Sequence, residues 1–200
     1  MADEIVLPGP IPRVSTSPTQ EPVSVSEMKA HLRVDHNHED DRIGGLIQAA
    51  REMVEEDAQV ALCPQTLTFR LDAFPNWELC LRKCPINAIS SITYVDADGT
   101  TQTLASDKYT LDAYSRPARV TPAYNEVWPA TRRQINAVTV TATAGYSAPS
   151  AVPAMAKHAL KMLVAHWYEN AETVVVGTVS KEIELSYRGI LSRFSWGGYA

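Results

Sequence analysis

Between Met155 and Tyr168 only Lys157, His158, Lys161 and His166 favour water. A helix this apolar must be covered by protein on nearly every side. The pattern predicts it from Pro153, a favoured first-turn residue, to near Asn170. Upstream, Ile43, Leu46, Ile47, Ala50 and Val54 recur at helical spacing and predict a helix over 39–60. Glu39, Asp40 and Asp41 fall in its first turn, where the helix dipole favours negative charge. Gly44-Gly45 costs about 1 kcal/mol per glycine relative to alanine, which suggests close approach of another backbone. A short helix precedes it, opened by the capping box Ser24-x-x-Glu27 and ending near Arg33. A last helix is predicted over 180–194, with the stripe Ile183, Tyr187, Ile190, Leu191 and Phe194.

The middle of the chain has period two. Strands are predicted over 66–71, 78–82, 86–95, 101–104, 108–112, 118–121 and 137–143, with Asp96-Ala97-Asp98-Gly99 as a hairpin turn. The last of these places threonine on one face and small apolar residues on the other. The order of helices, strands and helices predicts an α+β fold: about four bundled helices with an attached antiparallel β region. Residues 1–23 hold five of the thirteen prolines, at 8, 10, 12, 18 and 22. They read as an extended arm without a core of its own, mobile in the isolated chain. The expected organisation is an arm (1–23), a core (24–177) and a C-terminal helix and tail (178–200).

Charge narrows the classes of function. The net charge of −5 is uneven: residues 1–100 carry 8 basic against 16 acidic residues, and residues 101–200 carry 10 against 7. An acidic first half argues against a nucleic-acid binder, because phosphate affinity comes from clustered Lys and Arg. No basic, apolar leader opens the sequence. No stretch approaches the roughly 18 apolar residues of a membrane span. The expectation is a protein made and kept in the cytoplasm with no membrane contact. Cys63, Cys80 and Cys84 form no pairing pattern and read as free thiols in a reducing compartment.

Catalytic and metal constellations are weak. Asp35, His36, His38, Asp40 and Asp41 include ligand types, but they crowd into one interhelix break without a distant partner. Asp96-Ala97-Asp98-Gly99 lacks the glycine and glutamate a calcium loop needs at its sixth and twelfth positions, here Thr101 and Asp107. Cys80-x-x-x-Cys84 has the wrong spacing for a redox pair. His166 and Glu169 share a helix face and read as a hydrogen-bonding pair at the core edge. Nucleotide-binding, serine-hydrolase and zinc-protease signatures are missing. Neither an enzyme nor a cofactor is expected.

The C-terminal end has a different character. After Glu184 there is no acid, and Tyr187, Arg188, Arg193, Phe194, Trp196 and Tyr199 follow. Aromatics with arginine are the residue types that anchor interfaces. Tyr187 and Phe194 also fit closure of the chain's own core. Trp196 and Tyr199, beside Gly197-Gly198, fit contact with a partner better.

Several segments match one family in order: Val25 to Asp35, Pro64-Gln65-Thr66, Ile92 to Gly99, Tyr124 with Trp128-Pro129-Ala130-Thr131-Arg132, Ala144-Gly145-Tyr146, and Val164 to Asn170. Together they resemble the head–tail connector (adaptor) family of long-tailed phages and phage-like particles, over about residues 24–177. The resemblance implies a structural subunit of the particle neck. It implies a homo-oligomeric ring of twelve beneath the portal protein, with DNA passing through and a stopper or tail protein on the far side. In some relatives the C-terminal segment inserts into the portal; Tyr187–Tyr199 lie outside the matching segments, and extending that role to them makes them the expected portal-docking segment. An acidic lumen would let DNA slide, and Glu39, Asp40, Asp41, Glu52, Glu55, Glu56 and Asp57 are the candidate channel charges. Alternative readings are another neck protein, either a stopper or a tail terminator, and a DNA-packaging accessory factor. An enzyme using His31, His36 or His38 is the third class.

Overall fold

In a computed structural model of the chain, residues 9–170 and 181–195 are described. Four helices bundle at one end: α1 (Val25–Leu32), α2 (Asp40–Asp57), α3 (Ala154–Glu169) and α4 (Lys181–Leu191). The Ser24 hydroxyl accepts from the Glu27 N–H at 3.1 Å, and Arg33 ends α1 in the left-handed region. Helix α3 packs against the other three. The predicted stripe of α2 is the buried one: Ile43, Ile47, Ala50 and Val54 meet Leu160, Leu163 and Val164 of α3 and Tyr187 and Leu191 of α4. Gly44 and Gly45 depart from expectation. Among the described residues, a Cβ on Gly44 would meet Val25 Cγ2 at 3.9 Å and one on Gly45 would meet nothing within 4 Å, so no described backbone crosses there.

The strands form two antiparallel sheets. Five strands pair in the order β1 (Arg13–Thr16), β2 (Gln65–Leu71), β8 (Val138–Ala144), β4 (Ile86–Val95) and β5 (Thr101–Leu104). Three pair in the order β3 (Leu79–Leu81), β7 (Ala118–Pro122) and β6 (Tyr109–Asp112). Strict alternation in β2 and β8 sends Leu67, Phe69, Val138, Val140 and Ala142 into a second core against Leu79, Leu81 and Val120 of the smaller sheet. The fold is α+β, a helical bundle carrying an antiparallel β region.

The arm differs from expectation. Residues 13–16 are the edge strand of the larger sheet, with Arg13 opposite Thr68 and Thr16 opposite Thr66. Val23 is fully buried in the helical core. Gly9, at φ +100°, sits so close to the Cys80 carbonyl that a Cβ would lie 2.2 Å from its oxygen. Residues 9–23 therefore pack on the fold. Gly145 joins the two cores. At φ +103° its N–H donates to Pro85 O, and an added Cβ would lie 2.0 Å from Cys63 O.

Candidate functional site

The helical bundle meets the β region at a buried charge cluster. Glu55 is 1% exposed. Its Oε1 accepts from Leu62 N at 2.7 Å and Gln65 Nε2 at 2.8 Å. Its Oε2 faces Arg51 Nη1 at 3.4 Å and Lys83 Nζ at 3.6 Å. Arg51 in turn donates from Nε to Glu21 at 2.8 Å. Burial lifts the Glu21 carboxyl above its ordinary range despite Arg51. One carboxylate thus ties α2 to the start of β2 and to the loop before β4, while Arg51 anchors the N-terminal segment.

The acids expected to carry channel charge differ in their surroundings. Glu55 is buried and ion-paired within the fold. Glu39 binds Arg42 at 2.7 Å and accepts from the Tyr168 hydroxyl, which holds its carboxyl below the usual range. Asp40 pairs with Lys29 at 2.8 Å. Asp57 accepts from Tyr187 Oη at 2.9 Å, and burial raises its pKa. Asp41, Glu52 and Glu56 remain as exposed carboxylates.

The C-terminal residues divide similarly. Tyr187 is 3% exposed and belongs to the helical core; Phe194 packs against that core, half-buried. Arg188 and Arg193 are exposed. Trp196 and Tyr199 lie outside the described residues.

The candidate chemistry stays dispersed. His36 and His38 stand with ring centroids 5.7 Å apart, and His36 lies 4.0 Å from the Glu39 carboxylate. Among the described residues no three of His, Cys, Asp and Glu converge as a metal-binding group. All three cysteines are free and buried, and burial pushes the Cys63 thiol up to about 12. His166 pairs with Asn170, through Nδ1 at 3.2 Å, not with Glu169. Among the described residues no helix is long and apolar enough to cross a membrane.

One surface escaped the sequence reading. Phe74 stacks on Trp128 at 4.8 Å between centroids, and Trp128 Nε1 donates to Trp77 O at 2.8 Å. Trp77 and Val127, beside that stack, are 63% and 84% exposed. The only signal was Trp128-Pro129 among the family-like segments, and Trp77 carried none.

The profile of the head completion protein family matches residues 21–181. This chain belongs to the head completion protein family. The head–tail connector resemblance agrees with that membership. The fold is also that of subunits from gene transfer agent particles. One is from the neck of an empty particle, computed with C6 symmetry: TM-score 0.77, 19% identity, covering 95% of this chain and 97% of that one. Another is from the virion of the native particle: TM-score 0.77, 20% identity and the same coverage. A third is from the native neck with C12 symmetry: TM-score 0.70, 19% identity and again the same coverage. No curated protein matches the chain. Membership spans both cores of this head completion protein, from Glu21 of the charge cluster to the start of α4.

Proposed function

We propose that this head completion protein is a head–tail connector subunit. Twelve copies form a ring beneath the portal protein, DNA passes through it, and a stopper or tail protein docks on the opposite side. The observation that carries the reading is the family match across residues 21–181, supported by a fold shared along 95% of the chain with a subunit from the neck of a gene transfer agent particle, computed with C12 symmetry. A ring interface of this kind is heterologous, with two different patches of each subunit meeting around a closed cycle.

The chain's own physics supports a passive conduit. No described cluster combines a nucleophile, a base and a binding cleft. Net charge is negative, and Asp41, Glu52 and Glu56 add to a field that keeps phosphate from adhering. At physiological ionic strength that field reaches only about 8 Å, so it discourages gripping without blocking passage.

Portal docking falls to the exposed part of the C-terminal end: Arg188, Arg193 and the residues after Phe194. Tyr187 and Leu191 fill the helical core, so a deletion from 186 onward would remove packing as well as any docking surface. The informative variant removes 195–200. It should keep the thermal midpoint of the full chain and lose co-purification with the portal protein. Undiminished co-purification would reject this docking assignment. Failure of the intact chain to associate with any portal or neck component would reject the function.

A further inference from the structure

One face of the larger sheet packs on the second core; the other carries an unusual set of side chains. Strand register sets them out in rows. Arg13 lies opposite Thr68, Thr68 opposite Thr141, and Thr141 opposite Ser91. The next row runs Arg70, Thr139, Thr93 and Thr103. A third runs Thr16, Thr66 and Thr143, ending on Ala88. Cross-strand partners share a face, so these positions form one continuous surface. It is half-buried or exposed throughout.

Its chemistry is selective. Of the chain's 23 acidic residues, none stands in these rows, and the two charged positions are both arginine; the nearby carboxylate of Asp72, just past the end of β2, is engaged by Asn136 N at 2.8 Å. An ordinary solvent face mixes both signs, at about a quarter to a third charged residues. A shallow groove of about 390 Å³ crosses the β1–β2 side of this face, lined by Ile11, Arg13, Ser15, Thr68, Arg70 and Asn136. Guanidinium, hydroxyl and amide donors together are the set that contacts phosphate and sugar without reading bases.

We propose that this hydroxyl face, with Arg13 and Arg70, is where the subunit touches the phosphodiester backbone of double-stranded DNA. The inference rests on the conduit reading above and names the surface that does the touching. Hydroxyls offer weak, exchangeable hydrogen bonds along a flat track. Two arginines per subunit add attraction without the dense Lys and Arg clusters that hold DNA fast. Positive charge on this face also complements phosphate in a chain that is otherwise net acidic.

The test uses purified, DNA-filled particles carrying the full chain with a photo-crosslinking residue at Thr141, or at Thr103 should the first position fold poorly. The control carries it at Val127, exposed on the loop between β7 and β8. Irradiation should yield a nuclease-sensitive adduct from the sheet positions and at least about ten-fold less from Val127. Adding R13E and R70E to the Thr141 variant should lower the adduct several-fold while leaving incorporation unchanged. Adducts from the sheet positions to protein alone would overturn the assignment and make this face a subunit contact. A yield at Val127 equal to that of the sheet would also overturn it. Absence of the chain from particles would overturn the conduit reading, and this one with it.

Discussion

Arg51 and Glu21 are joined at 2.8 Å, Nε to Oε2, and through that contact a segment 30 residues upstream is fastened to the middle of α2. Arg51 faces Glu55 on its other side, so one guanidinium serves the N-terminal segment and the bundle–sheet junction together.

The junction should be the least tolerant polar site in the molecule. Glu55→Ala strands Arg51 and Lys83 with reduced pairing and leaves Leu62 N and Gln65 Nε2 without their acceptor. Breaking a buried pair from one side costs about 3–5 kcal/mol. Glu52→Ala, on the exposed face, should stay within about 0.5 kcal/mol. Urea unfolding of both variants checks the contrast.

Gly145→Ala meets strain and collision together: φ is +103° and the new Cβ would fall 2.0 Å from Cys63 O. A loss of at least about 2 kcal/mol is expected. The measurement is the thermal midpoint against wild type. Gly45→Ala, in open space within α2, should instead raise stability by up to about 1 kcal/mol.

Tyr187 separates packing from docking. Tyr187→Phe keeps the ring in the core and removes the hydrogen bond to Asp57, at about 0.5–1.5 kcal/mol. Tyr187→Ala also empties part of the helical core and should cost several times more. Were Tyr187 a partner contact alone, calorimetry would show neither variant destabilised.

Two sets of carboxyls give stability a sign change with pH. Folding lowers Glu27 through its bond to Lys161, Glu39 through the Tyr168 hydroxyl, and Asp112 through Ser115. Their contribution is complete above the ordinary carboxyl values of 4.5 and 3.8 and is lost as pH falls through the lowered ones. Burial raises Glu21 and Asp57. Their contribution is complete below those ordinary values and is lost as pH rises through the raised ones. The urea midpoint should therefore climb slightly as pH falls from neutral toward 5, then drop below about 4.5.

Local pattern carried most of the architecture. The stripe Ile43 to Val54 and the alternation Val138 to Ala144 each report burial directly, and each sits where its periodicity predicts. Strand β1 was hidden because all four of its residues are exposed and prolines at 10, 12 and 18 flank it; its order comes from pairing with β2. Glu55 was illegible for a related reason. On a helical wheel it is one acid among several, and its burial depends on Lys83 and Gln65, distant in sequence. The stack of Phe74 on Trp128 spans 54 positions and leaves no local trace. The sheet's hydroxyl face was visible only one strand at a time, since register assembles its rows.

Electron microscopy of the purified chain with its portal protein tests the central claim most directly. The account predicts a closed ring of twelve subunits, coaxial with the portal and open along its axis. A single copy bound off-axis, or a monomer that never joins the portal under conditions where neck assembly proceeds, would contradict it.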